Sequence, residues 1–252
     1  MVSQDSNTIF EKRDLHSAGK TGKIPAYKAI AYTLDISARF MCSTLLGKQS
    51  VEQCDRLMKD WSRRIFRAGD ATLKVAGLEN VEADKAYVYM SNHKSLLDIP
   101  AVFGAIPGSL RMVFKEELRK LPVWGNALVA SGFIPVDRKN TKRAIEQMEI
   151  AKEQIQKGIS VWIAPEGTRS RDGQLQDFKK GGFHLAKQLG VQIVPCWIDG
   201  TDTIIPPDDF KAHYGGEATV HFGRPLNTSP DDDIATLMER VRDSMIELSK
   251  KY

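Results

Sequence analysis

Apolar positions change their period partway along this chain, and the change divides it. Between residues 24 and 47, Tyr27, Ile30, Ala31, Leu34, Ala38, Met41 and Leu45 recur at helical spacing. Between 50 and 68, Val51, Cys54, Met58, Trp61 and Ile65 do the same. Arg56, Lys59, Arg63, Arg64 and Arg67 occupy the rest of that second surface. Pro25 suits a helix start, and Gly47 and Ser50 suit a break, as a C-cap glycine and an N-cap serine. The pattern predicts two amphipathic helices joined as an antiparallel hairpin. From Ala71 onward, short apolar runs alternate with helical stripes. Strands are predicted at 71–77, 86–91, 111–114, 133–136, 159–164, 192–198 and 218–222. Helices are predicted at 96–104, at 141–157 behind a capping Asn140, and at 231–250 behind Ser229-Pro230. Such alternation implies an α/β fold, a largely parallel mixed sheet flanked by helices, with the two-helix hairpin in front of it. The chain then divides into a polar, flexible lead-in at 1–22, the hairpin at 23–70 and the α/β domain at 71–252.

Composition narrows the possibilities. With 252 residues there is room for one large core. Cys42, Cys54 and Cys196 are far apart and form neither a disulfide framework nor a metal-binding pattern, which fits a reducing compartment. No signal-peptide pattern opens the chain, and no run of about 18 apolar residues offers a membrane span. The expectation is a cytoplasmic protein. Its formal net charge of +4 is unevenly placed. Residues 1–70 hold 12 Lys/Arg against 8 Asp/Glu, whereas the remainder holds 24 of each. All the excess positive charge lies with the hairpin. A basic amphipathic pair is either packed on the domain with a solvated charged side, or laid on an anionic bilayer with its cations at headgroup level and Trp61 and Phe66 among the apolar contacts. Nucleic-acid binding has no support, because the charge comes without groove-reading or base-stacking motifs.

In open α/β sheets, ligands collect beyond the carboxyl ends of the strands. Here those loops hold the unusual residues. Asn92, His93 and Asp98 follow the strand at 86–91, and Lys115 follows the one at 111–114. Asp137 and Arg138 follow 133–136, and Pro165-Glu166-Gly167-Thr168-Arg169-Ser170 follows 159–164. Neutral imidazole can take a proton from an alcohol, and a carboxylate on its other nitrogen fixes the tautomer and stabilises the cation. His93 and Asp98 are candidates for that pair, provided a loop-to-helix junction brings them together. Ser95 with Asp98 three residues on matches a capping box at such a junction. Each residue also has an ordinary use. Asp98 can simply cap a helix, Glu166-Gly167 can be a plain turn, Lys115 and the arginines can be solvated charges, and Pro195 reads most simply as a strand terminator. Taken together, a base, its orienting acid and several cations on one rim suit a phosphorylated alcohol substrate.

Four ordered blocks carry a resemblance: Asn92-His93-x4-Asp98, Phe133-Ile134-Pro135-Val136-Asp137-Arg138, Pro165-Glu166-Gly167-Thr168-Arg169-Ser170 and Ile193-Val194-Pro195-Cys196. From about Gly77 to Pro225 the chain resembles the glycerolipid acyltransferases, most of all those acting on 1-acylglycerol 3-phosphate. It departs from the pattern at Ala164, where many members carry phenylalanine, and at Cys196, where many carry valine. Many members also begin with membrane-spanning helices, and some bacterial ones resemble this chain in using two helices to sit on the membrane. The resemblance implies acyl transfer from acyl-CoA or acyl carrier protein to the 2-hydroxyl of lysophosphatidic acid, forming phosphatidic acid. His93 would be the base and Asp98 its partner. Arg138, Arg169 and, more weakly, Lys115 would bind the phosphate, while Glu166, Gly167 and Thr168 shape the acceptor site and Asn92 or nearby amides meet the oxyanion. The chemistry requires no metal and no cofactor. The implied partners are the acyl donor, the lysolipid and an anionic membrane surface on the cytoplasmic side, met through residues 24–68. Alternatives are transfer to glycerol 3-phosphate or another lysophospholipid, thioester hydrolysis, and a non-catalytic membrane-binding role.

Overall fold

The continuous apolar runs become the centre of one sheet. The structure, a computed structural model, describes residues 7–10, 23–24, 26–46, 50–121, 124–137, 140–207, 212–213 and 215–251. Its first half contains β1 (Asn7–Phe10), β2 (Lys23–Ile24), α1 (Ala26–Leu45), α2 (Val51–Ala68), β3 (Thr72–Ala76), β4 (Val88–Ser91), α3 (Asp98–Ala105) and β5 (Leu110–Lys115). There follow α4 (Trp124–Ala130), β6 (Ile134–Val136), α5 (Thr141–Gln156), β7 (Ser160–Ile163), α6 (Gly181–Leu189), β8 (Ile193–Asp199) and α7 (Thr201–Ile204). Last come β9 (Ala212–His213), β10 (Glu217–Phe222) and α8 (Ile234–Lys250).

Eight strands form one sheet in the order β1-β3-β10-β8-β4-β7-β5-β6. From β8 to β6 all neighbours are parallel, whereas β10 runs antiparallel to β8 and β1 antiparallel to β3. All seven expected strands are in this sheet. Alternation along β4 shows how it is covered. Tyr87 and Tyr89 enter the apolar cluster shared with α2 and α3, and Val88 and Met90 enter the opposite one, shared with α5, α6 and α8. Helices on both faces are what near-continuous apolar parallel strands need.

Several expectations shift in detail. The lead-in is not structureless throughout, because Asn7–Phe10 pair with β3 and Phe10 packs beside Phe66. Pro195 does not end its strand. Antiparallel pairing with β10 runs to Cys196 and Gly223 N–H then donates to Pro195 O at 2.8 Å, so the proline, which has no N–H, accepts there without donating. Helix α8 starts at Ile234, three residues late, because Asp232 turns back to accept from Ser229 N–H at 2.8 Å and Asp233 becomes the cap, accepting from Thr236 N–H at 2.8 Å. Ser50 and Asn140 do cap their helices, accepting from Gln53 and Arg143 N–H. Pro25 and Gly47 lie outside the described residues.

The hairpin is packed on the domain. Cys54, Met58 and Phe66 of α2 are buried in the same cluster as α3. Gly104 permits that approach, since a Cβ there would stand 2.6 Å from Ser62 Oγ, which donates to Pro100 O at 2.6 Å. Asp55 reaches β5, where Arg111 Nη1 donates to it at 2.7 Å and Ser109 Oγ at 2.5 Å. Phe66 is therefore core, and Trp61 is half-buried with its indole N–H donated to Thr33 Oγ1 at 3.2 Å. Neither is an outward-facing anchor.

Candidate active site

Strands β4, β5, β6, β7 and β8 point the same way, so the loops that follow them share one rim. His93 stands two residues past β4. A tight turn at Leu96-Leu97 delays the helix to Asp98, and the carboxylate folds back over the loop that precedes it. Asp98 Oδ2 accepts from His93 Nδ1 at 2.7 Å, Lys94 N–H at 2.7 Å and Ser95 N–H at 2.8 Å. A carboxylate only accepts, so Nδ1 carries the proton and Nε2 is left as the basic nitrogen. Asp98 is fully buried, while His93 is partly open. The imidazole edge meets the Trp162 ring at 6.0 Å between centroids and 88° between planes. Trp162 is itself fixed by donation to Ser91 Oγ at 3.0 Å.

The loop after β7 holds the backbone of His93. Glu166 Oε1 accepts from His93 N–H at 3.0 Å and its Oε2 from Gln176 N–H at 2.9 Å, while Ser170 N–H donates to His93 O at 2.8 Å. Glu166 is only 3% exposed. Burial pushes its carboxyl above the usual carboxylate range, against the pull of those two N–H bonds and of His93 and Arg242. Both oxygens thus accept from backbone N–H groups, so Glu166, which also lines the cavity, holds the His93 loop in place. Gly167 has φ of +76°, and a Cβ there would meet only Lys179 Cγ at 3.5 Å. Its conformation, rather than crowding, is what calls for glycine.

His93 opens onto a cavity of about 1510 Å³. Apolar side chains line it, among them Leu96, Met112, Phe114 and Leu118. Lys115, Glu166, Gly167, Thr168 and Arg169 line it as well. Arg169 is half-buried and steadied by donation from Nη1 to Pro207 O at 2.8 Å. Lys115 is exposed and faces Glu117 at 3.5 Å. Arg138 lies outside the described residues. Asn92 is buried away from the cavity lining, and its amide is spent on Ile198, donating to O at 2.8 Å and accepting from N–H at 2.7 Å. It is a clamp between β4 and β8, which corrects its oxyanion role. The amides of Lys94 and Ser95 are likewise taken by Asp98.

Trp162 was visible in the sequence only as one residue of an apolar strand, and nothing in its spacing marks it. Thr201 could have been found, because it follows β8 on the same rim. Its hydroxyl donates to Asp98 Oδ1. Among the described residues, no group of three or more His, Cys, Asp or Glu is arranged to hold a metal. Neither buried thiol lines the cavity, and burial pushes Cys54 up to about 12 and Cys196 upward as well.

Comparison with known proteins adds an independent line. A family profile described as acyltransferase matches residues 72–199. The chain is 32% identical over 221 residues to the 1-acyl-sn-glycerol-3-phosphate acyltransferase of Saccharomyces cerevisiae, covering 86% of this chain and 72% of that protein. It is 33% identical over 182 residues to the human 1-acyl-sn-glycerol-3-phosphate acyltransferase alpha, covering 71% and 64%. With the chloroplast enzyme of Arabidopsis thaliana it shares 34% over 161 residues, spanning under half (45%) of that protein. The crystal structure of the 1-acyl-sn-glycerophosphate acyltransferase of Thermotoga maritima has the same fold. Its TM-score is 0.68 at 23% identity, over 88% of this chain and 97% of that one.

Proposed function

The chain belongs to the acyltransferase family, and from that premise we propose that it moves a fatty acyl group from acyl-CoA or acyl carrier protein to the 2-hydroxyl of 1-acylglycerol 3-phosphate. The product is phosphatidic acid. What supports this reading most is the 2.7 Å contact of His93 Nδ1 with Asp98 Oδ2, beside a cavity whose lining combines apolar side chains with Lys115 and Arg169.

His93 Nε2 takes the hydroxyl proton as the acceptor oxygen attacks the thioester carbonyl. Asp98 balances the imidazolium that forms, a contribution typically worth about 10²–10⁴-fold. The tetrahedral adduct collapses, the C–S bond breaks, and the leaving sulfur receives the proton from Nε2. A thiolate leaves readily, so the alcohol can attack directly and no protein nucleophile is required. Arg169, Lys115 and Arg138 are assigned to the acceptor phosphate, Glu166, Gly167 and Thr168 to the shape of its site, and the apolar lining residues to acyl chain. Residues 24–68 are assigned to an anionic membrane surface on the cytoplasmic side.

The test is acyl transfer by the purified protein from labelled acyl-CoA and from acyl carrier protein, with lysophosphatidic acid, glycerol 3-phosphate and other lysophospholipids as acceptors. His93→Ala should lower kcat by at least about 10³-fold with folding intact, and Arg169→Ala should mainly raise KM for the phosphorylated acceptor. An active His93→Ala variant, or release of free fatty acid in place of acylated lipid, overturns the reading.

A further inference from the structure

The geometry points to Thr201 as a third member of the His93–Asp98 pair, a positioning residue that acts on the base through Asp98. The inference rests on the acyl-transfer reading above and adds to it a residue outside the four sequence blocks.

Asp98 Oδ2 is crowded with three donors from its own loop, His93, Lys94 and Ser95. Oδ1 faces the other way and takes the hydroxyl of Thr201, a residue with no exposed surface. A carboxylate bonded through one oxygen can still swing about its Cβ–Cγ axis. A second fixed donor on the other oxygen sets the plane of the group, and so the direction along which it meets Nδ1. Imidazole orientation then follows from a residue 103 positions beyond Asp98.

Thr201 is itself tightly placed. Gly200 turns at φ +76°, and a Cβ there would stand 2.1 Å from Glu217 O, so only glycine lets the chain pass β10 and present residue 201. Four side chains of the His93 loop grip the segment around it. Asn92 holds Ile198 through both amide atoms, and Ser95 Oγ donates to Ile205 O at 2.7 Å. Lys94 Nζ lies 3.8 Å from Asp199 and 3.5 Å from Asp202, on either side of Thr201. Asp98 completes the set. Thr201 does not line the cavity, so its effect on turnover has to pass through the carboxylate.

The experiment is steady-state acyl transfer by the full chain carrying Thr201→Val, which keeps the volume but loses the donor, and Thr201→Ser, which keeps the donor. Thr201→Ala serves the same purpose as valine should that variant fail to fold. Assays are run well below each variant's melting temperature. The valine variant should lose about 10-fold or more in kcat, in line with one hydrogen bond to a charged group. KM for donor and acceptor should stay within about twofold, and serine should recover kcat to within about threefold. Unchanged kcat in the valine and alanine variants, a loss carried by KM, or no recovery with serine overturns the role of Thr201. His93→Ala run alongside separates the two levels of the claim. If it is active, the acyl-transfer reading itself falls; if it is inactive while Thr201→Val equals the parent, only Thr201 is misassigned.

Discussion

Glu166 sits at a conflict between burial and bonding. Removed from water, its carboxyl is pushed toward the protonated form, yet both oxygens accept backbone N–H groups that favour the charged one. Glu166→Gln tests which matters for function. The amide has one accepting oxygen, so either His93 N–H or Gln176 N–H must then face an NH₂ group. We expect kcat to fall about 10-fold with little change in KM for the acceptor. Stability near neutral pH should not fall in step. A raised carboxyl contributes stability that is present below its ordinary pKa and fades as pH rises through the raised value, and the substitution removes that cost of ionisation. A variant with normal kcat and a raised acceptor KM would instead place Glu166 against the substrate.

At the scale of elements, the hairpin packs on the domain by one side and keeps charge exposed on another. One side of α2 is core, and Asp55 and Arg111 bind it to β5. The opposite side keeps exposed charge: Arg56 and Arg67, eleven positions apart, fall within about 20° of each other around the helix. Arg64 and Arg39 are engaged with Asp35, so not every cation is available to a membrane. On α1, Leu34 is 57% exposed, and Leu46, just past its end, 67%. None of the described helices is long and apolar enough to cross a membrane. Replacing Arg56 and Arg67 by Gln should weaken sedimentation with phosphatidylserine vesicles about 30-fold, at roughly 1 kcal/mol per cation, and leave neutral phosphatidylcholine vesicles unaffected. Equal binding to both vesicle types, or no response to the substitution, excludes this side of the hairpin. Caps and periodicity were readable here because Ser50 and Asn140 act locally. The burial of Phe66 and Trp61 was not, because an apolar residue on a helix stripe does not say whether protein or lipid covers it.

Across the whole molecule, His221 couples the sheet to pH. It sits in β10, where the sheet changes direction, and burial holds its pKa down to about 4 from 6.5, against a partial upward pull from Asp199. The contribution is fully present above 6.5 and is lost as pH falls toward 4, amounting to at most about 3 kcal/mol. Urea unfolding between pH 7 and 4 should therefore show a slope that His221→Leu flattens; an unchanged slope would mean that the histidine is not held neutral. The sheet itself was legible, because β4, β7 and β8 are apolar runs bounded by polar loops. β1 was not, since Asn7–Phe10 has only two apolar residues and gains its place from β3. Of the site, His93, Asp98 and the residues from Glu166 to Arg169 could be read from strand-end positions. The bonds of Asn92 to Ile198, Glu166 to Gln176 and Asp98 to Thr201 could not, because they span 106, 10 and 103 residues.

The bond between Asp98 and Thr201 also has a consequence for biosynthesis. A nascent chain that has emerged as far as the first motif already contains the base and its acid, but the second carboxylate oxygen has no designated donor until the ribosome has added another hundred residues. Both oxygens of Asp98 are held only once β8 and the turn after it are in place, so a product cut short before residue 201 should transfer acyl groups at least about 10-fold more slowly than the full chain.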